Sequence, residues 1–456
     1  MSHTHVCSCE HTKVVEGVFG QMCSEYPQKR CSRKSEEEWS GSELALGEGD
    51  RSFDEPAQLI VKSYTMTNSN RMEVVIITWG ATIVSLKCPD KFGRPADVVL
   101  GFDNLKSYMD PTLNPFIGCI LGRCANRIKE GCFTLKDKLY QLSTNDSNLH
   151  HIHGGTNGFG RQVWNSYVDG CNVVMTYLSQ DGEEGYPGAM LVTIIFQLTA
   201  DNRLNINMRA TTSKTTIVNM THGTFFNLAG HGAGEKELGK HQISLNCNRW
   251  TFADYEDPIP TGAIRGVGGT IMDLRIARLL AYVMYKVPPG EGYDHNFCVV
   301  RSWEPGISFV ARALHAPSGR VLEVYSDKPG VQFYTSGRFP PQPVPESSSS
   351  YNSCLNIGKW EQDMELDKFG SSPDFQGEEE EGEQDFRTET PPSKPLEFIP
   401  GKNGARYKKH CAFSIQPQSY PNAVNIKHFP CVILRPGQVY LHELAYKFGI
   451  QLRNYM

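Results

Sequence analysis

Apolar and polar residues alternate along much of this chain with the period of a β-strand. Residues 204–208, Leu-Asn-Ile-Asn-Met, alternate strictly, as a strand with one buried face should. Residues 74–79 and 191–196 are rich in β-branched and aromatic side chains, and turn signals lie at 201–203 and 317–319. No core segment sustains a helical apolar stripe over three turns. The pattern predicts an all-β fold, a large antiparallel β-sandwich with little helix.

Two polar stretches interrupt this pattern. Residues 24–57 are rich in Ser, Glu, Arg and Gly, and residues 340–395 contain a serine run and four consecutive glutamates at 378–381. Neither stretch can offset the entropy of ordering by apolar burial, so we expect two disordered insertions. The predicted regions are an N-terminal extension (1–56) with a short strand near 16–20, a β-sandwich (57–339 and 401–450), and an acidic insertion (340–400).

Composition and charge narrow the choice of partners. With 39% hydrophobic residues, a net charge of -5 and no long basic runs, the chain can bury a large core and is not expected to bind nucleic acid. It has no long apolar window and no secretory signal pattern, so we expect a soluble, cytoplasmic protein without a membrane partner. Its 14 cysteines are scattered, which predicts that most are reduced and buried. Those before residue 32 lack C-x2-C spacing, so no metal site is predicted.

A series of motifs occurs in a fixed order along the chain. They are 97–102 (DVVLGF), 122–128 (GRCANRI), 181–188 (DGEEGYPG), 218–230 (VNMTHGTFFNLAG), 292–297 (GYDHNF), 329–335 (PGVQFYT), 401–407 (GKNGARY) and 413–425 (FSIQPQSYPNAVN). One such match could arise by chance, but a co-linear set of this length could not. The chain resembles the aldose 1-epimerase (galactose mutarotase) family, which implies that family's β-sandwich fold.

The resemblance also implies a reaction. A mutarotase opens a pyranose by removing the proton of the anomeric hydroxyl while the ring oxygen is protonated, and the ring then closes on its other face. This needs a paired base and acid, for which a carboxylate and an imidazole are suited. No metal, nucleotide or other cofactor is required. The implied partner is a small-molecule sugar, galactose or glucose, and no basic cluster beside the motifs favours a phosphorylated one.

Five residues fall on family positions that bind the sugar hydroxyls or the ring oxygen: Asn126, Arg127, His153, Asp294 and Gln332. Their carboxylate, amide and guanidinium groups can donate to or accept from hydroxyls. His153 is preferred over His150 and His151 because the residues after it keep the family's spacing. His150 and His151 are expected to be loop residues.

Two positions that carry catalysis in the family hold other residues here. The proton-donating His is replaced by Gly223, and the basic Glu is replaced by Gln416. Glutamine has the shape of glutamate but is not a base near neutral pH. His222 is a possible substitute, but a one-residue step along a strand turns its side chain to the opposite face. Only a bulge at Gly223 would bring it back.

Three functions are compatible with the sequence. The first is a hexose-binding relative in which anomer interconversion is lost or strongly impaired. The second is an active mutarotase with an altered acid and base set, such as His153 with His222. The third is a scaffold that binds a protein partner through the acidic insertion.

Overall fold

A computed structural model describes residues 6–9, 12–23, 58–254, 257–301, 305–341 and 396–452. The predicted insertion at 24–57 and residues 342–395 of the predicted acidic insertion (340–400) lie outside the described part, as do the side chains of the N-terminal cysteines. Helices within it are short: α1 Leu105–Met109, α2 Gly234–Leu238 and α3 Leu280–Val283. No described helix has the length and apolar character needed to span a membrane.

Strands dominate the described chain. In chain order they are β1 Val6–Cys9, β2 Thr12–Cys23, β3 Gln58–Asn68, β4 Glu73–Ile77, β5 Thr82–Pro89, β6 Pro95–Asp97, β7 Ile120–Leu121, β8 Arg127–Ile128, β9 Cys132–Leu135, β10 Lys138–Gln141, β11 His151–Ile152, β12 Asn165–Asp169, β13 Asn172–Ser179, β14 Met190–Leu198, β15 Arg203–Thr212, β16 Thr216–Ile217, β17 Thr221–His222, β18 Phe225–Phe226, β19 His241–Leu245, β20 Cys247–Ala253, β21 Pro260–Gly266, β22 Arg278–Leu279, β23 Asp294–Val299, β24 Ser308–His315, β25 Arg320–Ser326, β26 Gly330–Tyr334, β27 Ile399–Pro400, β28 Arg406–Tyr407, β29 Phe413–Gln418, β30 Ile433–Leu434 and β31 Tyr440–Ile450. Three-residue 3-10 helices occupy Lys129–Gly131, Phe159–Arg161, Glu183–Gly185, Met284–Lys286, Lys402–Gly404 and Ala423–Asn425. The predicted all-β fold is confirmed.

Three large antiparallel sheets make up the sandwich. One has the order β1-β2-β3-β4-β5-β6, and a nine-stranded sheet has the order β12-β13-β14-β15-β31-β25-β24-β19-β22. The third, β18-β29-β26-β23-β20-β21, is called the site sheet below. The strand expected near 16–20 is part of the longer β2, which pairs with β3 from Thr12 to Cys23 and so belongs to the first sheet.

Period-two alternation places the core between the nine-stranded sheet and the site sheet. On β14 and β15, Ile194 pairs with Met208 and Phe196 with Ile206, and all four side chains are fully buried. They belong to the same apolar cluster as the core-facing residues of the site sheet, including Phe413, Ile415, Val331 and Phe333. Burial of each such side chain contributes about 1.5 to 3 kcal/mol.

A second apolar cluster holds the chain on both sides of residues 342–395. Phe339, which precedes them, packs against Phe225 with ring centroids 5.1 Å apart. Ile399, which follows them, is fully buried in the same cluster. Just beyond it, the Lys402 ammonium lies 2.6 Å from the Asp97 carboxylate in a buried ion pair. Phe339 and Ile399 are therefore two fixed points in one cluster, one on each side of residues 342–395.

Most of the described cysteines are reduced and buried, as predicted. Eight are free in the described part, and all but Cys132 and Cys431 of these are buried. Cys171 is instead disulfide-bonded, so the expectation of reduced cysteines does not hold for this residue.

Candidate active site

One face of the site sheet carries the predicted polar residues in two rows. Antiparallel pairing puts Gln332 on β26 opposite both Asn296 on β23 and Gln416 on β29. The next row contains Asp294, and the two rows share a face because alternate residues of a strand point the same way. The intervening residues, such as Ile415, face the core. Alternation therefore turns a polar surface away from the apolar interior.

The predicted binding residues Arg127, Asp294 and Gln332 meet in one network. The Gln332 amide donates to Asp294 Oδ1 at 2.8 Å, and Arg127 Nη1 lies 3.8 Å from Asp294 Oδ2. Arg127 Nε donates to Asp146 Oδ2 at 2.6 Å, and Arg338 lies 4.0 Å from Asp294. The Asp294 side chain is a quarter exposed.

Charge pairing fixes the protonation of this network. Burial would raise the pKa of Asp294, but Arg127 and Arg338 outweigh burial and hold it below its usual value. Burial would likewise lower the pKa of Arg127, but Asp294 and Asp146 hold it above its usual value. Asp294 is therefore an ionised acceptor at neutral pH and a weak base.

His153 lies beside this network on the turn after β11. Its φ of +54° is in the left-handed region, and a Cβ atom at the next residue, Gly154, would lie 1.7 Å from the Gly122 carbonyl oxygen, so only glycine fits there. His153 Nδ1 accepts from the Asn126 backbone N–H at 3.1 Å, which leaves Nε2 to carry the proton. Burial, together with nearby Arg127, lowers the pKa of His153 to about 3.

Asn126 has a local role as well. Its side-chain oxygen accepts from the Arg127 backbone N–H at 2.8 Å, and its φ is +64°. Its backbone N–H is the group that orients His153. Asn126 therefore holds Arg127 and His153 in place.

Gly223 is enclosed by the chain segment before β7. Its N–H donates to the Cys119 carbonyl at 2.8 Å, and its carbonyl accepts from Gly118 at 2.8 Å. A Cβ atom at this position would lie 2.9 Å from the Phe116 carbonyl oxygen, which is closer than side chains tolerate. The Phe116 ring in turn contacts His153 edge to face at 5.3 Å. Any side chain at position 223 requires Phe116 to move.

Gln416 occupies the position of the expected base. It is 5% exposed, and its amide donates to the Ser414 hydroxyl at 2.9 Å. Ser414 donates in turn to the Thr224 carbonyl at 2.7 Å. The structure thus brings a carboxamide, rather than a proton acceptor, next to Gln332.

The structure does not bring His222 to this face. Its ring is fully buried, 6.2 Å from the Phe196 ring in the core, and its Nδ1 is hydrogen-bonded to the Thr224 hydroxyl at 2.6 Å. Burial lowers the pKa of His222 to about 3. No bulge interrupts its pairing with Ile120, so the side chain stays on the core side of β17.

His150 lies in the loop before β11, as expected, whereas His151 is a strand residue. His151 begins β11 and pairs with Ile128, and its Nε2 is 2.6 Å from the Tyr186 hydroxyl. His150 is buried, and its Nδ1 accepts from the Glu130 backbone N–H at 3.1 Å. Both rings are committed to local hydrogen bonds that shape the turn bearing His153.

Sequence reasoning missed several residues of the site. Asn296 and Gln418 are 3% and 0% exposed, and the Asn296 oxygen and both polar side-chain atoms of Gln418 lack a partner in the described structure. Both stand two residues from a predicted site residue, so period-two alternation could have identified them. Asp146 and Phe116 reach the site through tertiary packing, and no spacing in the sequence indicates this.

Comparison with known proteins agrees with the motifs. The aldose 1-epimerase family model matches residues 62–447. Galactose mutarotases of Bos taurus and Homo sapiens are 38% and 36% identical to the chain over 382 residues, covering 84% of this chain and 92% of theirs. A solved aldose epimerase homologue from C. elegans superposes with a TM-score of 0.64 at 25% identity, covering 83% of this chain and 96% of that one. The chain belongs to the aldose 1-epimerase family.

Proposed function

We propose that this protein binds a hexose and that its ability to interconvert sugar anomers is lost or strongly impaired. The observation that carries the proposal is the contrast within one sheet face. Arg127, Asp294 and Gln332 form a connected set of hydroxyl-binding groups, whereas Gln416 beside them is a carboxamide. Because relatives bear the name galactose mutarotase, galactose is the first sugar to test.

The remaining titratable groups of the site are poorly suited to proton transfer. Asp294 is held ionised by Arg127 and Arg338, and a carboxylate with a lowered pKa is a weak base. His153 is neutral, with its Nδ1 already accepting from Asn126, so its Nε2 is a hydrogen-bond donor. These groups can bind and orient hydroxyls, which supports binding more than catalysis.

The two alternatives have less support. An altered pair of His153 and His222 would need both rings in one cleft, but His222 packs against Phe196 in the core. A scaffold acting through residues 340–400 on a protein partner depends mainly on residues outside the described part of the chain.

Calorimetric titration and polarimetry on the full-length chain test the proposal. We expect galactose or glucose to bind the wild type, and Asp294→Asn to weaken binding at least tenfold, because a charged hydrogen-bond acceptor is lost. Freshly dissolved α-D-galactose should mutarotate no faster with the wild type than in buffer. Clear acceleration by the wild type would refute the loss of catalysis, and absence of sugar binding would refute the proposal as a whole.

Variants at positions 416 and 223 test whether the absent acid and base account for the loss of mutarotation. Gln416→Glu restores a carboxyl group, and the double variant with Gly223→His also restores an imidazole. We expect faster mutarotation from Gln416→Glu than from the wild type. The double variant gains further only where the segment bearing Phe116 shifts to admit the new ring. Gln418→Glu is the matched control, because it adds a carboxyl group to the same strand and face two residues away. Equal gains from Gln416→Glu and Gln418→Glu would show that position 416 has no special role.

A further inference from the structure

Arg161 lies on the 3-10 helix Phe159–Arg161, which follows the turn bearing His153. Its guanidinium group lies over the Phe116 ring, 4.8 Å from the ring centroid. Phe116 also contacts His153 edge to face, with the ring centroids 5.3 Å apart. One aromatic side chain therefore separates Arg161 from a predicted sugar-binding residue.

Arg161 differs from the other arginines of this region in its partners. Arg127 lies within 4 Å of two carboxylates, those of Asp146 and Asp294, and Arg338 lies 3.9 Å from Glu291. Among the residues that the structure describes, no carboxylate lies within 4 Å of the Arg161 guanidinium, and no side-chain hydrogen bond from it is formed.

The nearby acidic residues do not supply a partner. Asp110 and Glu184 act on Arg161 only through longer-range attraction. Glu184 Oε1 accepts from the Asn157 backbone N–H at 2.6 Å, and its other oxygen accepts from the Ser143 hydroxyl. Glu184 is thus already committed to the turn after His153.

A half-buried guanidinium without a counter-charge is unfavourable by itself. Partial burial removes hydration from the charge, while arginine stays protonated at any physiological pH. Its planar fork of N–H donors matches the oxygens of a phosphate or carboxylate, and stacking on Phe116 fixes the orientation of that fork. These features are suited to an anionic group entering from solvent next to His153.

We propose that the cleft takes a hexose that carries an anionic group, either a phosphate ester or a carboxylate, and that Arg161 binds this group. The inference rests on the proposed hexose binding and names the class of sugar. Arg127, Asp294 and Gln332 would hold the hydroxyls of the ring, and Arg161 would hold the charged substituent on the Phe116 side of the cleft.

Calorimetric titration of the full-length chain at fixed ionic strength tests this. The probes are galactose, galactose 6-phosphate, galacturonic acid and inorganic phosphate. We expect at least one anionic sugar to bind on the order of tenfold more tightly than galactose. The reason is that the Arg161 guanidinium would form a charge-assisted hydrogen bond with the anionic group in place of its contacts with water. The phosphate and the carboxylate probes distinguish the two sources of the anion. The preference should weaken as salt is added.

Two variants connect the preference to Arg161. Arg161→Gln should bring the ratio of the affinity for the anionic sugar to that for galactose toward one. Arg161→Lys should retain part of the preference, because lysine keeps the positive charge but lacks the planar set of N–H donors. The matched control is Arg406→Gln, because Arg406 is also stacked on a phenylalanine at 4.8 Å, namely Phe398. This control should keep the preference of the wild type.

Several results would overturn the inference. If galactose binds but no anionic sugar binds more tightly, hexose binding stands and the anionic class is wrong. If no sugar binds, both proposals fail. If Arg161→Gln and Arg406→Gln reduce the ratio of anionic to neutral affinity equally, the preference arises from the net charge of the protein and not from a site at Arg161. If inorganic phosphate binds as tightly as the sugar phosphate, the site recognises a free anion and not a sugar.

Discussion

Restoring a carboxyl group by Gln416→Glu should make the protein's stability depend on pH in a defined direction. Position 416 is 5% exposed, so burial raises the pKa of the introduced group. Its neighbour Ser414 donates its proton to the Thr224 carbonyl and presents only a lone pair toward position 416. A protonated carboxyl can donate to that lone pair, but an ionised one cannot, which raises the pKa further.

These effects set the size of the change. A fully buried carboxyl group can shift by about 3 to 5 units, and the polar surroundings of the site sheet reduce this to roughly 2 units above the unfolded value of about 4.3. Because each unit corresponds to about 1.4 kcal/mol, the variant loses about 3 kcal/mol at pH 8 and only about 1 kcal/mol at pH 5. The sign follows from the raised pKa: both states bind the proton at low pH, and the penalty appears as pH rises.

Urea unfolding of the wild type and the variant at pH 5 and pH 8 measures this difference. Gln197→Glu is the control, because Gln197 is exposed on β14 and its replacement should cost the same small amount at both pH values. A penalty for Gln416→Glu that is equal at the two pH values, or larger at pH 5, would refute this account of the environment of position 416.

Three further changes probe other parts of the site. Gly223→Ala should destabilise the fold by about 1 to 3 kcal/mol in urea unfolding, because its Cβ atom meets the Phe116 carbonyl at 2.9 Å; an unchanged midpoint would show that this segment yields freely. Asp146→Asn removes one of the two carboxylates that position Arg127, and calorimetry should show hexose binding weakened by roughly tenfold. His222→Phe should lose about 2 kcal/mol less stability than the wild type between pH 7 and pH 5. The folded pKa of His222 is about 3 and its unfolded value about 6.5, so the wild type loses stability as pH falls below 6.5; equal losses would show that this ring is already charged or hydrated in the fold.

Much of the fold could be predicted because the strands alternate cleanly. The segments 191–196 and 204–208 lie within β14 and β15, and the turn between them joins an antiparallel hairpin. The same alternation agrees with His222, whose side chain is fully buried on the core side of β17. Such local patterns survive folding because one face of each strand must be buried.

The parts that could not be predicted depend on contacts between distant segments. Asp146 reaches Arg127 across 19 residues, and the Phe116 carbonyl closes over Gly223 from another part of the chain. The length of β2 was underestimated because its polar residues pair with β3 through the backbone, which leaves little trace in hydrophobic periodicity. Arg161 gains its significance only from the absence of a nearby carboxylate in the described fold.

The two fixed points on either side of residues 342–395 make this protein a natural host for an inserted reporter. Phe339 and Ile399 are each held by their own packing in one cluster, and the Lys402–Asp97 ion pair follows Ile399 by three residues. Doubling the length of a loop costs only about 0.6 kcal/mol in closure entropy. A fluorescent domain inserted between these two points would be attached to the cluster at both ends. Because the Phe339 and Tyr334 ring centroids are 6.2 Å apart and Tyr334 pairs with Asp294, its signal would originate beside the candidate site.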